Sequence, residues 1–213
     1  MKNLIFVGAG GFFLELLDYV KQDNIFDKNF ILKGVLDDNL KSRTFDLPHL
    51  GIVSEYEPQK DDLFLIAIGS VLLRNRFFEI LKSKNADFYT YIHSTAYVAS
   101  SAHIEEGCII APFSIINARA LLKANVAVNV NCSVGHESVV GISSVLSPYS
   151  AINGNAKVGD LCFLGTRATV FPGVVVGSKS IIDSHSYVQS SVKSKSIVSS
   201  RGEYIVLNNR LMR

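Results

Sequence analysis

An excess of charge of one sign is what this chain most clearly lacks. Its 21 lysines and arginines stand against 19 aspartates and glutamates, a formal net charge of +2 over 213 residues. No run of Lys or Arg gathers into a basic stripe, so the electrostatic footprint of a nucleic-acid-binding protein is missing. Long apolar runs are missing too. Nothing approaches the ~20 residues needed to cross a bilayer, which excludes a membrane helix. The opening MKNLIFVGAGG has an apolar run broken by glycines, without the longer core and cleavage site of a signal peptide. It reads as a first β-strand. Cysteine is scarce, with only three. Hydrophobic residues, at 48%, are plentiful enough to bury a substantial core, which argues against disorder. A soluble cytoplasmic protein of one large or two small domains is expected.

A repeat dominates the second half. From Ile92 every sixth residue is aliphatic: Ile92, Val98, Ile104, Ile110, Ile116, Leu122, Val128, Val134, Val140, Leu146, Ile152, Val158, Leu164, Val170, Val176, Ile182 and Val188. At the average apolar content, such an unbroken series arises by chance about once in 10⁵ trials. Four residues after each aliphatic comes a small residue, among them Ala96, Cys108, Ser114, Ala120, Cys132, Ser138, Ala156, Cys162 and Ser186. A period of six fits neither a helix nor a plain alternating strand. It predicts a parallel β-helix with three flat sides per coil, aliphatics inside and small residues at the turns. One coil cannot bury its own apolar residues, whereas stacked coils share a continuous core. Cys108 and Cys162 are three 18-residue coils apart, roughly 14 Å at the usual strand spacing, too far for a disulfide. Cys132 falls on another corner. Three buried, reduced thiols are expected.

Residues 1–90 lack this period and form the first of two expected domains, the second being 91–213. Leu4–Val7 reads as a strand, Gly8-Ala9-Gly10-Gly11 as a tight loop and Phe12–Gln22 as a helix. Val35–Leu36 runs into Asp37-Asp38. A strand over Leu63–Ile68 ends at Gly69-Ser70, and Val71–Lys84 has helical character. Alternating strands and helices imply a small parallel, Rossmann-like sheet. Ligands of such sheets sit at the carboxyl ends of the strands, where Gly8, Gly10, Gly11, Asp37, Asp38, Gly69 and Ser70 fall. The dinucleotide fingerprint G-x-G-x-x-G is incomplete, since Phe13 stands at its third glycine, and no P-loop Gly-Lys-Ser/Thr occurs. The loop can still offer backbone N–H groups to a phosphate at a helix N-terminus.

Of five histidines, His136 has the distinctive setting. It is two residues past the inward Val134, Glu137 follows it, and Gly154 lies 18 residues on, one coil above. Acyl transfer from a thioester to an amine or hydroxyl needs a base for the acceptor's proton. An imidazole suits that task near neutral pH, and an adjacent carboxylate can orient it. Asn129 supplies a polar group on the preceding face. A zinc site is disfavoured, because His103 and His185 are separated from His136 by 33 and 49 residues, not whole coils. No metal is expected.

The segments IFVGAGGFFLE, LDD at 36–38, AIGSVLLR at 67–74, IHSTAYV at 92–98 and VNVNCSVGHESVVG at 128–141 resemble the sialic-acid O-acetyltransferase-like sugar acyltransferases. That family includes the PglD-like N-acetyltransferases of nucleotide-linked amino sugars. The resemblance covers nearly the whole chain. It implies a left-handed parallel β-helix behind the α/β domain, acetyl-CoA as co-substrate and a homotrimer with active sites between subunits. It further implies His136 as base with Glu137, substrate contacts from Asn129 and Arg74, and an acetyl-CoA site at Gly154, Gly165 and Thr166. The sequence departs from the family pattern at three places. Phe12 and Phe13 follow Gly11 where the family often has His, Val145 stands where some members have a second His, and the chain ends in SRGEYIVLNNRLMR.

The expected function is acetyl transfer to the amine of a nucleotide-linked sugar, of the 4-amino-dideoxy kind found in surface polysaccharide biosynthesis. Two alternatives remain open at the level of sequence: O-acetylation of a sugar hydroxyl, and a non-catalytic β-helix that binds nucleotide sugars or serves as scaffold.

Overall fold

A computed structural model describes residues 1–23, 30–39, 47–200 and 202; the divergent ending after 202 lies outside them. The α/β region contains β1 (Lys2–Val7), α1 (Gly11–Gln22), β2 (Phe30–Leu36), β3 (His49–Gly51), β4 (Asp62–Ile66), α2 (Val71–Ser83) and β5 (Asp87–Phe88). The five strands form one sheet in the order β3-β2-β1-β4-β5, every pairing parallel. β1 is therefore central and buried on both faces, which explains its near-continuous apolar run. Leu4 and Phe6 face α1 with Val35 and Leu65. Ile5 and Val7 face α2 with Leu36, Phe64 and Ile66. The short strands β3 and β5 escape sequence reading because two or three residues show no period.

Each helix buries a stripe at i, i+3, i+4, i+7. In α1 the stripe is Phe13, Leu16, Leu17 and Val20. In α2 it is Arg74, Phe77, Phe78 and Leu81, with an arginine where the spacing calls for an apolar residue.

From Tyr91 onward the chain winds as the expected parallel β-helix. Face 1 has seven strands from Tyr91–Ile92 to Ile197–Val198, face 2 six from Tyr97–Val98 to Tyr187–Val188, and face 3 five from His103–Ile104 to Val175–Val176. Registers advance by whole coils, as in Ile116 beside Val134 and Val134 beside Ile152. The aliphatic column forms the inner core from Ile110 to Val188. Ile92, Val98 and Ile104 are only partly covered or exposed, because they belong to the first coil, which has no coil beneath it. Cys108, Cys132 and Cys162 are buried and free. Burial pushes the Cys108 thiol up to about 12, so it is inert as a nucleophile.

A third column was not legible as a pattern of residue type. At each corner from residue 107 to residue 185 the residue before the small one has positive φ: Phe113, Arg119, Asn125, Asn131, Glu137, Ser143, Tyr149, Asn155, Leu161, Arg167, Lys179 and His185, with Gly107 and Gly173 completing the series. This region costs an L-residue roughly 1–2 kcal/mol. In return the backbone N–H of each such residue from Asn125 onward reaches a carbonyl of the preceding coil, as Asn125 to Glu106 at 2.8 Å, Glu137 to Ala118 at 2.9 Å and Asn155 to His136 at 2.8 Å, while those of Phe113 and Arg119 donate to the hydroxyls of Thr95 and Ser101.

The two regions are welded at one corner. Arg74 is fully buried. Its Nε donates to the Asn125 carbonyl at 2.7 Å, while its Nη groups donate to the carbonyls of Ile66, Ile68 and Gly107. Gly107 and Asn125 are stacked corner residues of the β-helix, whereas Ile66 and Ile68 lie at the carboxyl end of β4. Burial pushes the guanidinium down to about 9. Ser143, one coil beyond Asn125, donates to Asn75 Oδ1 at 3.0 Å. A second link runs from α1, where Asp23 accepts from Tyr91 Oη at 3.2 Å and from the Ser94 N–H at 3.1 Å. Replacing Arg74 by Ala leaves several buried carbonyls without a donor and should cost about 3 kcal/mol or more. Calorimetry should show a clear fall in Tm; an unchanged Tm would mean the weld does not depend on Arg74.

Candidate active site

The carboxyl ends of β1, β2 and β4 open onto a cavity of about 420 Å³. Gly8, Gly10 and Gly11 line it with Asp37, Asp38 and Gly69, so six of the residues expected there are brought together. Gly8 has φ +93° and a Cβ there would collide with Ile68, which makes it a structural glycine. Gly10 and Gly11 differ, since a Cβ at either meets nothing within 4 Å. Their lack of a side chain leaves the loop's backbone open to a ligand at the start of α1. The aspartates anchor the loops around the cavity. Asp37 Oδ2 accepts from the Ala9 N–H at 2.6 Å and its Oδ1 from the Asn39 N–H at 2.7 Å. Asp38 Oδ1 accepts from the Val53 N–H at 2.8 Å.

Two expectations need correction here. Arg74 does not reach the cavity, because its guanidinium is consumed by carbonyls at the weld. Arg76, two residues on and exposed, is the arginine that lines it. Ser70 is the residue capping α2, exposed and without a side-chain cap bond, and it is not part of the cavity wall. The helical spacing of Arg76 from Leu73 was the available signal, since both face the cavity.

A second cavity of about 220 Å³ continues from the first across Gly11, Phe12 and Gly69. It lies in the seam between the α/β region and face 1 of the β-helix, with Glu15 on one side and Asn129, Ser147 and Phe163 on the other. Asn129 Oδ1 accepts from the Val130 N–H at 2.7 Å.

His136 occupies a different corner, between faces 2 and 3. It lines a third cavity, about 460 Å³, together with Asn117, Asn153, Gly154 and Pro172. The turn that gives Glu137 its positive φ sets the two side chains together, with His136 Nδ1 at 3.3 Å from Glu137 Oε2. The other carboxylate oxygen lies 3.5 Å from Arg119 Nη1. Sequence reasoning missed Arg119, although it stands 18 residues before Glu137, and the same arithmetic had found Gly154. A Cβ on Gly154 would overlap the His136 Nε2 edge of the ring, so glycine is required for this pose. Nδ1 thus faces a carboxylate while Nε2 stays open in the cavity.

Within one chain the expected residues therefore divide into two groups. Asn129 is in the seam and not beside His136, because one further side of the coil separates their corners. Gly165 and Thr166 also sit on the corner between faces 1 and 2, apart from the His136 cavity. A Cβ on Gly165 would lie 2.6 Å from the Ser184 backbone nitrogen, so close stacking of coils accounts for that glycine. Among the described residues no group of three or more His, Cys, Asp or Glu could hold a metal ion, and no helix is long and apolar enough to cross a membrane.

The chain thus sets an α/β region with a cavity at its strand ends on a β-helix that carries a histidine–carboxylate pair on one of its corners. Residues 3–81 match the PglD N-terminal domain family, and residues 156–189 match the hexapeptide repeat of succinyl-transferase. The chain is similar to the first family in its α/β region and to the second within its β-helix. It is 32% identical over 115 residues to UDP-N-acetylbacillosamine N-acetyltransferase of Bacillus subtilis, a match covering 52% of this chain and 51% of that protein. The chain thus matches about half the length of that curated relative. Its fold is that of a point mutant of perosamine N-acetyltransferase from Caulobacter crescentus, solved with CoA and GDP-perosamine, at a TM-score of 0.84 and 21% identity over 95% of this chain and 98% of that one. The acetyltransferase domain of PglB from Neisseria gonorrhoeae has the same fold, with a TM-score of 0.83 and 21% identity over 92% and 96% of the two chains.

The Asp37–Ala9 bond makes the glycine loop testable on its own. Asp37→Ala should speed amide hydrogen exchange at Ala9 about tenfold or more, the usual worth of a hydrogen bond to a charged acceptor. Unchanged exchange would show that the loop holds its shape without the carboxylate.

Proposed function

We propose that this chain transfers the acetyl group of acetyl-CoA to the amine of a nucleotide-linked sugar of the 4-amino-dideoxy kind, without a metal. The observation that carries the reading is the Arg119–Glu137–His136 chain, which leaves Nε2 of the imidazole free in a cavity. Glu137 accepts from Nδ1–H and fixes the tautomer whose Nε2 lone pair can take a proton. The acceptor amine attacks the thioester carbon, the C–N bond forms and the C–S bond breaks. His136 takes the amine's proton, and the departing thiolate takes up a proton to give the free thiol and the amide. The names of the curated relative and of the perosamine enzyme, both sugar N-acetyltransferases, support the amine as acceptor. Three free cysteines accord with a cytoplasmic setting.

In this reading Gly8, Gly10, Gly11, Asp37, Asp38 and Gly69 hold the nucleotide, and the sugar extends into the seam toward Asn129. Gly154 flanks the base at the acetyl-CoA site, and Gly165 and Thr166 reach that site from a second copy. The distance between the seam and His136 within one chain supports a homotrimer, in which the base of one subunit serves the seam of the next. Face 2 and its flanking corner carry exposed Tyr97, Phe113, Ile115, Tyr149 and Tyr187, an apolar band of the kind that marks contact between subunits.

Two measurements test the proposal. Light scattering should give about three times the 23.3 kDa chain mass; a 23.3 kDa particle at working concentration would remove the shared site. In a thiol-release assay with nucleotide amino sugars, His136→Ala should lose about 10²–10⁴-fold in kcat, with Glu137→Ala losing less. Wild-type kcat in the His136 variant would leave the reaction without its base. Turnover only of hydroxyl acceptors would make the chain an O-acetyltransferase, and no turnover at all a binding protein.

A further inference from the structure

The seam cavity holds a single formal charge, the carboxylate of Glu15. Around it stand the phenyl groups of Phe12 and Phe163, the side chain of Val145, and the polar groups of Asn129 and Ser147. Among the described residues Glu15 has no hydrogen-bond or ion-pair partner. Tyr19 and Asp18 are the titratable groups near it on α1; burial, with the carboxylates of Glu15 and Asp18, raises the Tyr19 phenol, and neither Tyr19 nor Asp18 offers Glu15 a positive charge. Its position on α1 follows from the helix itself: one turn after Gly11 and Phe12, it shares their side of the helix and looks across at the β-helix.

We propose that Glu15 is the residue that selects an amine over a hydroxyl, by binding the protonated amino group of the sugar in the seam; this ammonium releases one proton to solvent before the neutral amine attacks and gives a second to His136. The inference rests on the acyl-transfer reading and adds its specificity. The seam opens directly from the nucleotide cavity, so a group attached to a bound nucleoside diphosphate enters it first. Its volume of about 220 Å³ is roughly half that of the nucleotide cavity, room for a sugar ring and not for a second nucleotide. The phenyl and valine walls suit the apolar carbons of a deoxy sugar. An aliphatic amine is ammonium at neutral pH, and a charge-assisted hydrogen bond to a carboxylate is about twice as strong as a neutral one. With Asn129 Oδ1 already accepting from Val130, the amide N–H groups of Asn129 remain as donors for sugar oxygens. That leaves the carboxylate of Glu15 as the anionic acceptor in the seam.

Glu15→Gln keeps the shape and removes the charge. With UDP-N-acetylbacillosamine and GDP-perosamine as probes, this variant should raise the KM of the amino sugar about tenfold or more. The Kd of UDP or GDP alone, measured by calorimetry, and the KM of acetyl-CoA should stay unchanged. Glu15→Asp should recover part of the loss. An unchanged amino-sugar KM in Glu15→Gln would overturn the assignment while leaving acetyl transfer intact. An equal loss in UDP or GDP binding would also overturn it, since Glu15 would then support the nucleotide cavity. Absence of thiol release by the wild-type protein with either amino sugar, alongside turnover of hydroxyl sugars, would overturn both the amine reading and the role of Glu15.

Discussion

A flat-sided coil cannot satisfy its own backbone. Along its sides the N–H and C=O groups point along the β-helix axis and find partners in the coils on either side. The corners from Asn125 to His185 therefore adopt the positive-φ turn that aims the N–H at a carbonyl of the preceding coil, even where the residue is Tyr149 or Leu161. The strain at each corner is local, whereas the bond it secures joins successive coils. Small side chains at the next position and an aliphatic in the middle of each side follow from the same demand for close stacking. Gly135 and Gly165 follow from it as well, because a Cβ at each would run into the coil above.

That stack is also the ruler on which the chemistry is laid out. Arg119, Glu137 and Asn155 share one corner at intervals of one coil, so a carboxylate lies over an arginine by construction. His136, one residue before the turn, reads its neighbours on the coils to either side. These side chains are exposed in the single chain, where an ion pair of this kind contributes little to stability. Its contribution is orientation, with one carboxylate oxygen held by Arg119 and the other facing the imidazole.

Arg74 connects this ruler to the α/β region. A buried guanidinium bonded only to carbonyls is costly to desolvate, yet no shorter side chain spans from β4 to two stacked corners. It leaves α2 as a shared wall, with Arg74 and Asn75 against the β-helix and Leu73, Arg76 and Phe77 against the cavity at the strand ends. The same packing sets α1 beside face 1, which creates the seam and places Glu15 in it.

The repeat, the α/β region before it and the glycine loop were legible in the sequence because each follows from local spacing: six residues per side, a helical stripe, strands ending in glycine or aspartate. His136, Glu137 and Gly154 were legible for the same reason, since in a solenoid 18 residues of sequence mean one coil of height. What the spacing could not reveal depends on contacts between the two regions. Arg74 resembled a ligand-binding arginine until packing buried it, and Arg76 took its place at the cavity. Asn129 and His136, seven residues apart, were separated by the three-sided geometry that sends neighbouring sides in different directions. The seam and its single carboxylate exist only where α1 meets face 1, a docking between surfaces that no periodicity within either one encodes.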